Sequence, residues 1–596
     1  MKNIKYLAIL SLFLGLFSCD DILDTKLDDR YGDEWTWGLP YKAEGVLLNA
    51  YANIPGQFDN YGNNFLDVIT DNAVTNDFGS SMYQMALGGI SATNQPVGNW
   101  STAYDQFRNI NLFLENGLED TISYKLSDPA IDKAIKERLY GEAHFLRAWW
   151  GMELLKVYGG VASDGEALGY VISTSTITDE DKESVANLRR NTYEECIAQI
   201  LMDCDTAIAY LPMAYDASMD GFDSDEIGRA TQKTAYALKS RAALFAASPA
   251  YQPESSYSGS SDDLIQKWER AAVLAFQAVT DGQLGNYSAL KENMMYGGNL
   301  NVTPDDYLLR KFHNNNSMEN RNLPPFFLGN GYTNPSQNLV DAFPASNGFP
   351  ITDPRSDYDP QNPYVDRDPR LALTVIYNGA SVEQGGRGAE IYFDQDSGKP
   401  GLDAPGYDYK NTRTGYYLRK WISNQPGMLI VGEKKNDFHM HAVLRRAEVY
   451  YNWAEAANEA VGPTAVVPGT DRSALDIMRD IRKKSIGVNN DIYLDEIAAQ
   501  GKDAFRELIL NERRIEFAFE NQRYFDLRRT LQPLNEGVKG VTVNKTGDMF
   551  TYVGTNPNAE SLIVEDRPFS DMKYYYTPIP YSELLKSPNM KNNKGW

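Results

Sequence analysis

The stretch NERRIEFAFE, residues 511–520, sets charged side chains among apolar ones at helical spacing. Glu512 and Glu516 stand four residues apart on one helical face, with Arg513 and Arg523 at hand. Planar guanidinium groups bind carboxylates through paired hydrogen bonds. We therefore expect arginine–carboxylate pairs to lock helices together at a partly buried seam, and we favour this structural role over catalysis.

Two other stretches also place charged residues among apolar ones at helical spacing. They are GEAHFLRAW at 141–149 and LRRAEVYYNWAEA at 444–456. In the second, Glu448 and Glu455 lie seven residues apart, nearly on one helical face. Helical spacing of apolar and small residues predicts helices near 41–54, 100–118, 130–158, 190–211, 229–247, 265–281, 440–461, 471–486 and 502–520. Alanine-rich faces allow close helix approach, so we expect tetratricopeptide-like helix pairs.

The residue composition changes between residues 283 and 435, where Gly, Asn, Pro and Asp are frequent. It changes again after Arg529. Regions this long are rarely one structureless loop, so short strands and ordered loops are expected. The predicted fold class is mainly α: tetratricopeptide-like helix pairs form a scaffold, overlaid by a loop-rich layer with a few short strands. Residues 39–596 are assigned to a single domain. Its scaffold spans about 39–282 and 440–529, and its loop-rich ligand layer spans about 283–439 and 530–596.

Composition limits the choice of partners. The 596 residues carry a formal net charge of -24, which repels phosphate backbones, so we expect no nucleic-acid partner. The chain also has 38 Tyr and 9 Trp, which present an apolar face with a polar edge. Such side chains suit stacking on sugar rings or holding peptides, although many of them belong to an aromatic-rich helical core.

The N-terminus predicts export and lipidation. Lys2 and Lys5 precede an apolar stretch at 6–18 that is too short to span a bilayer. Cys19 follows at once, then Asp20-Asp21, an order that resembles a bacterial lipobox. We expect a signal peptide at 1–18, a lipidated Cys19 and an acidic tether over 19–38. The alternative is an ordinary signal peptide with a chance cysteine.

Catalytic and metal-binding patterns are sparse. The sequence contains no GxSxG, HExxH, Walker or Rossmann motif, and we expect no enzyme activity, no cofactor and no metal site. His439 and His441 lack nearby partner ligands, and the packed, hydrogen-bonded interpretation is favoured for His144. The acidic loop 216–226 does not fit EF-hand spacing, so a solvated loop is favoured over structural calcium. Two carboxylates of a glycosidase are not excluded, but nothing singles out a pair.

Many short motifs in order resemble the SusD/RagB family of outer-membrane nutrient-binding lipoproteins. Those that carry the resemblance are CDDILDT (19–25), WSTAY (100–104), FLRA (145–148), YGGV (158–161), GRAT (228–231), RDPRL (367–371), GYYLRK (415–420), the three charged helices, RYFDLRR (523–529), PIP (578–580) and NKGW (593–596). Each is weak alone, but together they span nearly the whole chain.

The resemblance implies a function as well as a fold. It implies a cell-surface lipoprotein that captures an oligosaccharide or polysaccharide and passes it to a TonB-dependent SusC-like outer-membrane transporter, acting as its hinged lid. It also implies outer-membrane attachment through lipid at Cys19, facing the exterior, with Asp20-Asp21 as part of the export signal. Peptide cargo is the alternative within this class. A surface glycoside hydrolase and a pure scaffold for proteins are the alternatives outside it.

The resemblance also suggests where ligand binds. In this family an arc of aromatic and amide side chains on the loop-rich face meets glycans. The corresponding candidates here are Asp71, Tyr83, Asn94, Trp100, Phe327 and Tyr332, with Asn72, Asn76, Asp77, Gln95, Phe326 and Asn334 close by in sequence. For Trp100 a packing role at the start of a helix is favoured.

Overall fold

The computed structural model describes residues 33–178, 181, 186–215, 228–252, 262–279, 284 and 306–596. The predicted signal peptide, Cys19, most of the tether and the acidic loop 216–226 lie outside these residues. Within the described ranges, no helix is both long and apolar enough to cross a membrane.

Helices dominate the structure. In chain order they are α1 (Asp33–Trp37), α2 (Pro40–Ala52), α3 (Ser81–Ala86), α4 (Trp100–Asn116), α5 (Pro129–Tyr158), α6 (Tyr193–Tyr210), α7 (Gln232–Ala247), α8 (Asp262–Val279), α9 (Ser317–Asn322), α10 (Gln337–Ala342), α11 (Pro369–Thr374), α12 (Arg446–Val461), α13 (Ala474–Ser485), α14 (Ile492–Gln500), α15 (Lys502–Glu516), α16 (Arg523–Arg529) and α17 (Tyr581–Leu584). Long helices pack on their neighbours in turn: α5 on α6, α6 on α7, α7 on α8, α8 on α12, and α12 on α13 and α15. The predicted mainly α, tetratricopeptide-like scaffold is confirmed.

Local capping residues determine where several of these helices begin. The Thr192 hydroxyl accepts the Glu195 N–H, and the Glu195 carboxylate accepts the Thr192 N–H, a capping box that starts α6. Ser473 and Asp476 form the same box before α13. Asp128 caps the first N–H groups of α5, where Pro129 lacks a donor of its own.

The strands are short, and most of them lie in the two stretches predicted to be loop-rich. They are β1 (Ala73–Thr75), β2 (Gly160–Val161), β3 (Ala167–Leu168), β4 (Tyr307–Asn315), β5 (Thr333–Pro335), β6 (Val375–Ile376), β7 (Phe393–Asp394), β8 (Lys399–Pro400), β9 (Tyr417–Leu418), β10 (Leu429–Ile430), β11 (Glu433–Lys434), β12 (Asp437–Arg445), β13 (Val538–Gly540), β14 (Thr542–Thr546), β15 (Met549–Val553) and β16 (Leu562–Glu565). Most form two-stranded antiparallel pairs, and one sheet has the order β15-β14-β7-β8.

One helix prediction is partly wrong. Residues 437–445 form strand β12, which pairs antiparallel with β4, and the helix begins only at Arg446. His439 lies opposite His313 in this ladder, and the two imidazole rings stack with centroids 5.1 Å apart. The strand is stabilised by a partner far upstream, and local periodicity cannot report a partner at that distance.

The arginine–carboxylate seam is confirmed. Arg241 of α7 binds Glu448 of α12 through two hydrogen bonds of 2.6 Å each. Arg529 of α16 binds Glu455 of α12 at 2.6 and 2.7 Å, and both side chains are buried. Each pair joins two helices that are distant in sequence.

Glu512 and Glu516 pair with distant arginines and not with the nearby Arg513 and Arg523. Glu512 pairs with Arg370 at 2.7 Å and with Arg482, and Glu516 also pairs with Arg370, at 3.4 Å. Arg370 lies in the first turn of α11, within the loop-rich layer, so these pairs tie that layer to α15 of the scaffold. The nearby Arg513 and Arg523 pair instead with other carboxylates.

The packed interpretation of His144 also agrees with the structure. His144 is hydrogen-bonded to Asp203, Nδ1 to Oδ1 at 2.6 Å, in the α5–α6 interface. Cys196 and Cys204 are buried free thiols. Across the part of the chain that the structure describes, no group of three or more His, Cys, Asp or Glu is arranged to hold a metal ion.

Asp341 in α10 makes stability depend on pH. Burial raises the pKa of its carboxyl to about 6, although the hydrogen bond from Gln337 Nε2 (2.6 Å) acts the other way. An unfolded Asp titrates near about 4, so the folded state holds this proton more tightly. The associated stabilisation is therefore complete below about pH 4 and is lost as pH rises through about 6.

Replacing Asp341 with Asn is expected to raise the free energy of unfolding by about 1–3 kcal/mol at about pH 7, and to change it little at about pH 4. Urea denaturation at the two pH values measures both. Glu507→Gln, at an exposed position of α15, is the control and should have no effect. An equal effect of the Asp341 change at both pH values would contradict the burial argument.

Candidate ligand-binding surface

Strands β1 and β5 bring the two predicted ligand-binding segments together. They pair antiparallel, with Val74 opposite Asn334. Just beyond the pair, the Asn76 N–H donates to the Tyr332 carbonyl at 3.1 Å. The segment that follows residue 71 and the segment around residue 332 therefore meet at one edge of the loop-rich layer.

Exposed and half-buried aromatic rings gather around this edge. We call this set the aromatic surface; it consists of Phe78, Tyr83, Phe326, Phe327, Tyr332 and Tyr409. Phe78 is 54% exposed, Phe326 47% and Tyr409 84%. Single exposed apolar side chains are common on folded proteins, but several gathered at one edge indicate a binding surface.

Phe78 and Tyr83 form one end of the aromatic surface. Their rings meet edge to face with centroids 5.0 Å apart. The Arg413 guanidinium lies 5.3 Å from the Phe78 ring and 5.9 Å from the Tyr83 ring. Arg413 is itself held by the Thr75 carbonyl at 2.8 Å and by Glu565 at 2.7 Å, so both rings rest on a fixed cation.

Tyr332 forms the middle of the aromatic surface. Burial and then the nearby Asp77 carboxylate raise the pKa of its phenol above the usual value. The Lys410 ammonium donates to Asn330 Oδ1 at 2.8 Å and lies 5.6 Å from the Tyr409 ring. Amide, ammonium and carboxylate groups therefore stand between the aromatic rings.

Gly331 permits this close arrangement of loops. Its φ is +55°, and a Cβ at this position would meet the Lys410 carbonyl at 2.9 Å and the Tyr417 ring at 3.0 Å. Only glycine adopts this conformation without strain and also leaves that space. The residue thus sets Tyr332 against the loop that carries Lys410.

Phe326 and Phe327 form the far end of the aromatic surface. Their rings meet edge to face at 5.6 Å. The Arg387 guanidinium lies 4.0 Å from the first ring and 5.0 Å from the second, and it binds Asp403 at 2.8 Å. Each end of the aromatic surface is thus backed by a paired arginine.

This arrangement suits a sugar ligand. Aromatic faces pack on the C–H faces of sugar rings, and polar groups between them bind hydroxyls.

The structure brings three of the six predicted residues to this surface: Tyr83, Tyr332 and Phe327. Asp71 lies beneath it, because its buried carboxylate pairs with Arg514 and Arg523, both at 2.9 Å. Burial alone would raise the pKa of the Asp71 carboxyl, but the two guanidinium groups outweigh it and hold that pKa below its usual range.

The other two predicted residues lie apart from the aromatic surface. Trp100 packs in the core at the start of α4, and the centroids of its ring and the Tyr158 ring lie 5.0 Å apart. This agrees with the packing role favoured for Trp100. The exposed Asn94 uses its amide to bind the Gly89 carbonyl at 2.6 Å within its own loop. All six ligand assignments stay predictions.

Sequence reasoning missed Phe78, Arg387, Tyr409, Lys410 and Arg413. One signal for them was present: the run YDYK at 407–410 places two tyrosines and a lysine in a Gly- and Pro-rich loop, where aromatic side chains have little core to fill. Nothing local in the sequence indicated Arg387 or Arg413, which reach the surface only through the fold.

Comparison with known proteins agrees with this architecture. The model of the SusD family matches residues 293–596, and a second model, described as starch-binding and associating with the outer membrane, matches residues 33–244. SusD-like protein P25 of Formosa agariphila is 21% identical over 620 aligned residues, covering 99% of this chain and 98% of that protein.

Solved structures show the same fold. A SusD-like protein from Bacteroides fragilis superposes with a TM-score of 0.68 at 24% identity, covering 96% of this chain and 99% of that one. A SusD-like carbohydrate-binding protein from the same organism gives 0.66 at 21% identity, covering 93% and 99%.

The packed helix pairs beneath a loop-rich face define a tetratricopeptide-like helical protein. Within that class, the chain belongs to the SusD family.

Proposed function

We propose that this protein is a cell-surface lipoprotein that captures an oligosaccharide on its aromatic surface. It then passes the glycan to a TonB-dependent SusC-like transporter, on which it acts as a lid. The observation that carries the proposal is the aromatic surface itself, where rings alternate with amide and charged groups at one edge of the loop-rich layer. The matching family description of starch binding and outer-membrane association supports both the ligand class and the location.

Delivery needs a conformational change and no chemical step. Contacts that a glycan makes with both lid and transporter favour the closed arrangement, because a ligand shifts an equilibrium by its differential affinity for the two states. No bond in the glycan is broken. Two carboxylates beside the aromatic surface, Asp403 and Glu565, are bound by Arg387 and Arg413, which supports a structural use for them.

The double variant Tyr83→Ala/Tyr332→Ala tests the ligand site. Each ring contributes stacking on the order of 1 kcal/mol or more, so we expect glycan affinity to fall by about tenfold to a hundredfold. Isothermal titration calorimetry against a panel of polysaccharides, their oligosaccharides and peptides measures the change and identifies the cargo class.

Tyr41→Ala is the matched control, because this tyrosine is 67% exposed on α2, away from the loop-rich layer. It should bind like the unmodified protein. Unchanged glycan affinity in the Tyr83/Tyr332 variant would show that the aromatic surface is not the ligand site. Binding of peptides alone would show that the protein carries peptides and not glycans. Release of new reducing ends at catalytic rates would replace the binding role with hydrolysis.

A further inference from the structure

Four arginines lie beneath the Phe78 end of the aromatic surface. We call them the arginine cluster; it consists of Arg413, Arg514, Arg523 and Arg567. Arg413 binds the Thr75 carbonyl at 2.8 Å, and Arg567 binds the carbonyls of residues 68, 70 and 73 at distances from 2.8 to 3.2 Å. The other two bind the Asp71 carboxylate, at 2.9 Å each. The four guanidinium groups therefore surround one short segment, the one that contains β1.

The arginine cluster contains more guanidinium groups than it has carboxylate partners. Glu565 lies between Arg413, at 2.7 Å, and Arg567, and Asp71 lies between the other two. Among the described residues, no other carboxylate comes within 4.0 Å of the cluster. Guanidinium groups keep their proton at neutral pH. Four positive charges therefore face two negative ones, an excess of two.

Carboxylates farther out do not remove this excess. Glu536 is exposed and has Lys539 at 4.0 Å. The charge of Asp341 is balanced by Arg367, which binds only backbone carbonyls among the described residues and acts to lower the pKa of that carboxyl. Asp77, which follows β1, cancels at most one of the two charges. The region beneath the rings stays positive within a chain whose formal net charge is -24.

The guanidinium groups of the cluster repel one another. Burial lowers the pKa of Arg514, and the positive charge of Arg523 acts in the same direction. Burial also lowers the pKa of Arg567, and there Arg413 acts in that direction. An additional anion at the cluster would offset this repulsion.

Arg413 is the member of the cluster that a ligand can reach. Its side chain is 20% exposed, whereas the other three are 11% exposed or less. Both of its polar contacts, with the Thr75 carbonyl and with Glu565, are made by Nη1. Nε and Nη2 have no hydrogen-bond partner among the described residues, and neither atom is buried. Their N–H groups are therefore free to bind a ligand that packs on Phe78 and Tyr83.

We infer, on the basis of the function proposed above, that the glycan is acidic and that its carboxylate or sulfate group binds Arg413. A guanidinium binds either group through paired hydrogen bonds, and the sugar ring that carries the anion packs on Phe78 and Tyr83. The acidic character of the whole chain does not prevent this, because exposed charges more than about 8 Å away are largely screened at physiological ionic strength.

The test compares acidic oligosaccharides with the same oligosaccharides after their charge has been removed. Calorimetry on the full chain uses oligomers of galacturonate and mannuronate with their methyl esters, and oligomers of carrageenan and chondroitin sulfate with their desulfated forms. At least one acidic member should bind about tenfold more tightly than its uncharged partner. That ratio should fall as NaCl is raised from about 0.05 to about 0.5 M. The pair that shows the preference identifies the anion as carboxylate or sulfate.

Arg413→Gln should reduce the ratio of the acidic to the uncharged affinity about tenfold. A role confined to supporting the rings would lower both affinities alike and leave the ratio unchanged. The variant should fold, because Glu565 keeps its contact with Arg567. Arg413→Lys keeps the charge but not the planar fork, so its ratio should lie between the two. Arg355→Gln removes the same charge from a half-exposed pair elsewhere and is the control, with an unchanged ratio.

The acid and ester comparison needs no variant, so it decides the question even if Arg413→Gln fails to fold. The inference is overturned if no acidic member binds more tightly than its uncharged partner, or if folded Arg413→Gln keeps the full ratio. Binding of uncharged glycans without any acidic preference would overturn this inference and leave the proposed function standing. Binding of no glycan at all would overturn both.

Discussion

Replacing Arg370 with alanine is expected to lower the free energy of unfolding by about 3–5 kcal/mol. Its guanidinium is 1% exposed and binds Asp368 and Glu512 at 2.7 Å each, and Glu516 at 3.4 Å. Burial opposes ionisation of Glu512 and Glu516, but the surrounding guanidinium groups hold the pKa of each below its ordinary value. Without Arg370, buried carboxylates lose part or all of that compensation.

Urea unfolding followed by circular dichroism measures this loss. Arg355→Ala is the matched control, because Arg355 also binds two carboxylates, Asp353 and Glu496, but is half exposed. Solvent screens such pairs, so the control should unfold almost like the unmodified protein. Similar unfolding midpoints for the two variants would show that the Arg370 cluster does not hold the loop-rich layer to the scaffold.

Replacing Cys19 with alanine is expected to remove the protein from the cell surface. We propose that acyl chains on this residue attach the protein to the membrane, where each buried methylene contributes about 0.8 kcal/mol of affinity. Without the thiol there is no acceptor for that lipid. Protease accessibility on intact cells, together with incorporation of labelled palmitate, measures location and lipidation separately.

Asp20→Ala with Asp21→Ala is the companion variant, because it keeps the lipid acceptor and removes only the adjacent acids. It should still incorporate palmitate and stay with the membrane fraction, but lose outward exposure. Full surface exposure of the Cys19 variant would refute the lipoprotein assignment. Full exposure of the aspartate variant would refute only the role of the acids as an export signal.

The helices were predictable because their signals are local. Helix α5 was expected near 130–158 and spans Pro129–Tyr158, since Asp128 and Pro129 mark its start and its apolar spacing is continuous. Strand β12 has a local signal too, because polar and apolar residues alternate from Asp437 to His441. The predicted helix nevertheless began at residue 440, whereas pairing with β4 keeps these residues extended up to Arg445.

The candidate site was predictable only in part. Tyr83 and Tyr332 were indicated by the family resemblance, and β1–β5 pairing brings their segments together. Asp71 fits the same sequence pattern, yet two arginines from α15 and α16 bury its carboxylate. Sequence shows which side chains are able to bind a sugar, but exposure depends on what packs against them.

The sequence by itself determined the helical scaffold, the family and the expectation that arginines pair with the acids of the charged helices. Periodicity, capping residues and charge type are carried by neighbouring residues, so they can be read along the chain. Only the tertiary structure decided that Glu512 binds Arg370 and Arg482, and that Arg413 supports Phe78 and Tyr83. Those contacts join residues far apart in sequence, and their free energies arise from burial, which exists only once the chain has folded.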